Sequence, residues 1–440
     1  MNKAMNRILK EALEKVDPPK EDLDFIDASL KNLLEILKKE IKKLKIKTEI
    51  FVGGSFAKKT MIKKDVYDID VFVRFSQEYE DKKIEISKLL NKILDSMAIK
   101  KINIAKIHGS RDYFRIGIRH DFFIELIPVT KIKIPREARN ITDLSYSHVN
   151  YIKKRVKSEK VRDDIRIAKA FCYANGCYGA ESYIKGFSGY GLELLIYHYK
   201  SFVKFLKAMA MANAKKQGLI IDIEKHYKNK NRVLIDMNAS KLSSPIILVD
   251  PTFRQRNALA ALSTETFKKF QRACKSFLRN PNIKAFEEKK VDLEKLKANA
   301  KKQGLEFIQL NAKTNKQMGD IAGSKLLKFF KYLGRDIATR FDIKHNGFGY
   351  NGKKGCTMYF AAKSRRELIA VGPFAKDKQA VAAFKKAHKG KNSKTYIKAG
   401  RIFARDKITF TLKDFLKEWM KNKNNKKTMK EMSIVELSIS

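Results

Sequence analysis

Asp68 and Asp70 stand one residue apart in the run Val66-Tyr-Asp-Ile-Asp-Val-Phe-Val73, and a glycine turn, Gly53-Gly54-Ser55, precedes them. In an extended chain, residues two apart project from the same face, so the two carboxylates stand together. Like charges that close repel unless cations lie between them, and Mg²⁺ favours carboxylate oxygens beside substrate phosphates. A Gly-Ser turn can hold a triphosphate with backbone N–H groups and a hydroxyl. The chemistry that needs all three is metal-dependent transfer of a nucleotidyl group to a hydroxyl. The flanking Val66, Ile69, Val71, Phe72 and Val73 are apolar, and idle carboxylates among them would be costly to bury.

Two-metal transfer requires one cation to lower the pKa of an attacking 3′-hydroxyl and another to hold the triphosphate, which calls for a third carboxylate. Glu125, inside Phe122-Phe-Ile-Glu-Leu-Ile-Pro128, is flanked by apolar residues on both sides. Asp121 competes, but it follows His120 where a hairpin turn is expected, an ordinary place for aspartate. Burial favours Glu125.

The elements that must position these groups follow from periodicity. Residues 1–47 read as helical, with Pro18-Pro19 separating two segments. From Thr48 to Lys133 the pattern is strand–turn–strand, a helix at Lys82–Met97, then β-type runs at Ile102–Ile107, Tyr113–Ile118 and Phe122–Val129. A small mixed sheet with helices on one side is the natural packing. After Pro135 the chain reads as helical through Ser147–Ala174. A glycine-rich turn, Gly186–Gly191, leads into the apolar helix Leu192–Tyr199, and helices are predicted to continue to about Leu278. A second α+β pattern begins near Phe307, and the lysine- and asparagine-rich end, Lys421–Ser440, is predicted to be mobile.

The formal net charge of +47 over 440 residues should attract a polyanion, and nucleic acid suits nucleotidyl transfer better than a membrane does. No run approaches the ~18 apolar residues of a membrane span. Cys172, Cys177, Cys274 and Cys356 form no C-x-x-C pair and read as reduced, intracellular thiols. A cytoplasmic protein is expected.

The turn, the Asp-x-Asp strand and the third carboxylate match the signature of the DNA polymerase β-like nucleotidyltransferase superfamily. From about Phe51 to Arg405 the chain further resembles the archaeal, class I CCA-adding enzymes (tRNA nucleotidyltransferases). The resemblance rests on Gly54-Ser55-Phe-Ala-Lys58-Lys-Thr60, Asp68-Ile-Asp70-Val-Phe72, Glu125-Leu-Ile-Pro128, Asn175-Gly-Cys-Tyr178-Gly-Ala-Glu181, Gly186-Phe-Ser-Gly-Tyr190 with Glu193-Leu-Leu195, and Val249-Asp-Pro251 with Arg256-Asn257. Val371-Gly-Pro373 and Ala399-Gly-Arg401 also fit.

The resemblance implies a multidomain α+β protein: a polymerase β-like catalytic head (1–140), a helical neck for the nucleotide and acceptor end (141–285), a second α+β body that binds tRNA (286–410) and a short, partly disordered tail (411–440). The implied activity is template-independent addition of C, C and A to the tRNA 3′ end from CTP and ATP, with a two-ion Mg²⁺ site. Carried over by position, Asp68, Asp70 and Glu125 would be the catalytic metal ligands. Gly54, Ser55 and Lys58 would hold the triphosphate, His148, Lys169 and Tyr178 would reach phosphates and ribose, and Arg256 and Asn257 would lie near the base edge. The family usually has aspartate at the Glu125 position and often arginine at the Lys58 position. Its C-terminal tail is longer. A poly(A) or oligoadenylate polymerase and a weakened RNA-binding relative remain alternatives, and the sequence leaves a homodimer open.

Overall fold

The computed structural model describes residues 3–97, 103–213, 218–288, 291–390 and 393–440. The chain divides into two compact units, one running to residue 289 and one from residue 290.

In the first unit, strands β1 (Thr48–Val52), β2 (Tyr67–Phe75), β3 (Asn103–Ile107), β4 (Tyr113–Arg119) and β5 (Phe122–Thr130) form one sheet in the order β1-β2-β5-β4-β3. The start of the expected run at Ile102 lies outside the described residues. Only β2 and β5 pair in parallel; every other neighbour in this sheet is antiparallel. The helices Lys20–Lys43 and Ile86–Ser96 cover one face. Their Ile26, Leu30, Leu33, Leu37, Leu90 and Ile93 pack on Ile69, Val71, Ile124 and Leu126. The period of two along β2 and β5 sends these apolar side chains inward and leaves Asp68, Asp70, Phe123, Glu125 and Ile127 on the more open face. The expected mixed sheet with helices on one side is therefore the observed head.

The neck is a helical layer built on a phenylalanine core. Phe171, Phe187, Phe202, Phe205, Phe270 and Phe277 are fully or almost fully buried among the helices Glu159–Ala174, Gly189–Tyr199, Phe202–Met211 and Thr264–Arg279. The N-terminal helix, Lys3–Val16, packs here through Met5 and Leu9, although the sequence grouped it with the head. The neck also departs from the expected unbroken helices. Strands β6 (Leu219–Asp222), β7 (Ile246–Asp250) and β8 (Phe253–Asn257) make a three-stranded sheet. β7 is buried along its whole length, and a short continuous apolar run does not by its period distinguish strand from helix.

The second unit carries β9 (Glu306–Thr314), β10 (Phe341–Tyr350), β11 (Gly355–Ser364), β12 (Glu367–Phe374), β13 (Ser393–Lys398), β14 (Arg401–Lys407) and β15 (Ile434–Ile439). These make two sheets, β10-β11-β9-β15 and β12-β14-β13. The helix Asp320–Ala338 closes the core of the first through Leu326, Phe329 and Leu333.

The partly disordered tail expected over 411–440 does not hold. Thr411 caps the helix Leu412–Lys421, which buries Leu416 and Trp419, and Trp419 Nε1 donates to Asp336 at 2.8 Å. β15 then pairs with β9. Polar composition concealed an amphipathic stripe with enough apolar anchors to fold.

Candidate active site

Register brings the acidic residues together. In the parallel β2–β5 pair, Asp70 lies opposite Glu125, and Asp68 stands two residues before Asp70 on the same face. Asp121 instead sits in the turn between β4 and β5, where Arg119 pairs with it. Gly54 takes φ +60°, and a Cβ placed there would lie 2.0 Å from Asp70 Oδ2. Only glycine lets the turn approach the acid that closely. Gly53 N donates to the Asp70 carbonyl at 2.8 Å, which fastens the turn to the strand.

Burial, then the charges of Asp68 and Glu125, push Asp70 up to about 7. Burial also raises Glu125, against the pull of Arg115. The outer two carboxylates have found cations in the chain itself. Lys64 Nζ lies 2.9 Å from Asp68 Oδ1, and Arg115 reaches Glu125 Oε1 through Nε at 3.0 Å and Nη2 at 2.6 Å. Among the described residues, no three His, Cys, Asp or Glu side chains already converge as a metal cage. The donor set nevertheless suits a hard divalent cation, being all carboxylate oxygen with excess negative charge on one face.

Beside this face, two lysines meet on one buried glutamate. Glu193, fully buried on the helix Gly189–Tyr199, accepts from Lys58 at 2.6 Å, Lys169 at 2.9 Å and the Thr60 hydroxyl at 2.6 Å. Lys169 also donates to the Thr60 carbonyl at 2.9 Å. Burial would raise the Glu193 carboxyl, but Lys169, Lys58 and Thr60 hold it well below the usual range. The cluster ties the glycine-turn segment of the head to two helices of the neck. Lys169 is thus a buried, partnered lysine and not a solvated one.

A second buried carboxylate, Asp250 at the end of β7, gathers His148, Tyr190, Thr252 and Arg256. His148 Nε2 lies 3.0 Å from Oδ2 and Arg256 Nη1 2.6 Å from the same oxygen. The Tyr190 hydroxyl at 3.1 Å and the Thr252 amide and hydroxyl, both at 2.8 Å, donate to Oδ1. The His148 ring stacks on Tyr190 with centroids 4.1 Å apart. Arg256 stands on strand β8, where the sequence had placed a helix. Tyr178 stacks on Tyr173 at 4.2 Å.

Asn257 departs from its expected place at the base edge. Its Oδ1 accepts from the Leu248 and Leu259 amides, at 3.0 and 2.9 Å. Its Nδ2 donates to the Lys241 and Ile246 carbonyls, at 2.9 and 3.2 Å. With that capacity spent on backbone, Asn257 fastens β7 to β8 and has little left for a ligand.

Thr60, Lys64, Arg115, Glu193 and Asp250 had no role in the sequence reading. Glu193 carried a usable signal, since it interrupts the apolar run Leu192–Ile196 just as Glu125 interrupts its own.

The family model "Nucleotidyltransferase domain" matches residues 30–118, and "tRNA nucleotidyltransferase, second domain" matches 163–287. The CCA-adding enzyme of Nanoarchaeum equitans is 36% identical over 261 residues, a match spanning 59% of this chain and 61% of that enzyme. That of Methanocaldococcus jannaschii is 27% identical over 406 residues, spanning 91% of this chain and 87% of that enzyme. Matches to several relatives, the first among them, thus span less than two thirds of the relative's length, as with the Methanosarcina acetivorans enzyme at 56%. Among solved structures, a Cid1 poly(U) polymerase superposes with a TM-score of 0.52 at 12% identity, covering 66% of this chain and all of that one, a likeness of fold. No helix among the described residues is long and apolar enough to cross a membrane. The chain is thus similar to the CCA-adding enzymes in sequence, and it carries matches to a nucleotidyltransferase domain and to the second domain of a tRNA nucleotidyltransferase.

Proposed function

We propose that this protein adds C, C and A to the 3′ end of tRNA from CTP and ATP without a nucleic-acid template, releasing pyrophosphate. The observation that carries the reading is the parallel register that sets Asp70 beside Glu125, with Asp68 on the same face and the Gly53–Ser55 turn against them. Its relatives named as CCA-adding enzymes supply the substrate.

Asp68, Asp70 and Glu125 would hold divalent cations, Mg²⁺ by the chemistry of the donors, in exchange for the Lys64 and Arg115 contacts. When bound, such ions lower the pKa of an attacking hydroxyl and neutralise a triphosphate. The chain's own groups orient the reactants. Lys58 and Lys169 carry one more positive charge than Glu193 removes, a surplus suited to a triphosphate, and the glycine turn offers Ser55 and backbone N–H groups. His148, Tyr178 and Arg256 would face the ribose and base. The tRNA acceptor end would lie along the neck, with the lysine-rich second unit on the rest of the RNA. A cytoplasmic location completes the proposal.

The test is extension of tRNA transcripts ending before CCA, after C and after CC, with CTP, ATP or both, resolved at single-nucleotide length. C, C and a single A, then arrest, is the expected product. Open-ended A addition would move the protein to the poly(A) branch, and tight tRNA binding without incorporation would make it a binding protein.

A further inference from the structure

Asp250 is the most heavily hydrogen-bonded carboxylate beside the candidate site, and nothing in the transfer chemistry uses it. Its side chain is fully buried, yet a carboxylate can only accept. His148, Tyr190, Thr252 and Arg256 satisfy it from β8, the β7–β8 turn and two helices. Such a group fixes whatever donates to it, because each donor that swung away would leave a buried charge under-partnered.

Two consequences follow for the ligand-facing groups. The guanidinium of Arg256 is held by Nη1 and lies 5.9 Å from the Tyr190 ring centroid, so its plane is set before any base arrives. For His148, the nitrogen facing Asp250 must carry the hydrogen. Burial lowers the imidazole's pKa against the pull of Asp250, so Nδ1 is left as an acceptor. An acceptor suits a ribose hydroxyl and does not suit a phosphate oxygen. The phosphates are left to Lys58, since Lys169 spends its three donors on Thr60 and Glu193.

We propose that Asp250 is a positioning residue for nucleotide selection: by fixing Arg256 and the His148 tautomer, it dictates which base and sugar are accepted, while the triphosphate is held elsewhere. The proposal rests on the nucleotidyltransferase reading above. Asp250 touches neither lysine and Glu193 touches neither Arg256 nor His148 among the described contacts, although the Lys58 charge is felt at His148.

The experiment measures binding of CTP, UTP and 2′-deoxy-CTP to wild type and Asp250→Asn, with a tRNA transcript that lacks CCA and ends in a 3′-deoxynucleotide, so that no transfer occurs. Inorganic tripolyphosphate is titrated in parallel. Asp250→Asn should lower the preferences for CTP over UTP and over 2′-deoxy-CTP by about tenfold each. Tripolyphosphate affinity should stay within about twofold. Should Asp250→Asn fail to fold, Tyr190→Phe removes one donor and keeps the stacked ring, and should lower the same two preferences by about threefold. Unchanged preferences in the folded variant, or tripolyphosphate weakening by the same factor, would overturn the proposal. Because binding is read without transfer, a wild type that binds CTP selectively but never extends RNA would sink the functional reading and leave the role of Asp250 still measurable.

Discussion

The open face of β2 and β5 and the buried carboxylates of the neck handle negative charge in opposite ways. Asp250 and Glu193 are surrounded by donors from several elements, and their partners hold both well below the ordinary carboxylate range against the cost of burial. Asp70 is pushed the other way by burial and by two acidic neighbours. A saturated carboxylate is architecture, since its partners need it to stay in place. A crowded, under-compensated one stores repulsion that a proton or an added cation relieves. The contrast separates residues that act on the substrate from residues that hold those residues still.

The largest expected effect tests the crowded side. Asp70→Ala should cut nucleotide incorporation by about a thousandfold or more, since it removes a group that would act on the transferring phosphoryl. tRNA affinity should stay within about twofold, because lysine–phosphate contacts carry binding. Parallel extension and filter-binding assays decide, and near-normal turnover would break the comparison at its root.

On the saturated side, Glu193→Ala should leave turnover hard to measure for a different reason. It strands two buried lysines, and loss of one partner of a buried pair costs about 3–5 kcal/mol. Urea unfolding should show the loss directly, and a variant as stable as wild type would make Glu193 dispensable.

Asn257→Ala sharpens the line between the base edge and its support. Stranding the backbone groups it serves should cost about 2–4 kcal/mol, while the CTP-over-UTP preference of the folded fraction stays unchanged. A relaxed preference would return Asn257 to the ligand.

Acid should act on the saturated side in a defined direction. Glu193 and Asp250 are both depressed when folded, so the unfolded chain takes up protons first as pH falls. The stability they contribute is therefore fully present above the ordinary values, 4.5 for Glu193 and 3.8 for Asp250, and is lost progressively as pH falls toward their depressed folded values. The urea midpoint should fall steadily from about pH 5 down to about pH 2, and Asp250→Asn should flatten that fall. The smallest effect is expected for Glu125→Asp, which should show activity equal to or above that of wild type in the same extension assay, since the carboxylate oxygen donor is retained.

What the sequence disclosed and what it hid divide along the same line. Asp68, Asp70 and Glu125 were legible because alternation along two strands places them without knowledge of the rest of the chain. Asp250 and Glu193 were present in quoted blocks but had no role. Their meaning lies in partners far along the chain, with 135 residues separating Glu193 from Lys58 and 102 separating Asp250 from His148. Local pattern also failed where polar residues masked structure. β13, Ser-Lys-Thr-Tyr-Ile-Lys, and the helices after Thr411 carry too many lysines to announce themselves by mean hydropathy. The sheet in the neck was missed for the reverse reason, because β7 is apolar from Ile246 to Val249 and shows no alternation.

The last strand has a consequence for how the second unit comes into being. β15 covers the edge of β9, with Ile434 opposite Thr314 and Ile439 opposite Leu310. During synthesis β9 emerges more than a hundred residues before the strand that covers it. Until the ribosome has released that segment, one side of the sheet presents unpaired backbone to any neighbouring chain. Nascent chains stalled before residue 434 should therefore be the aggregation-prone and chaperone-bound population.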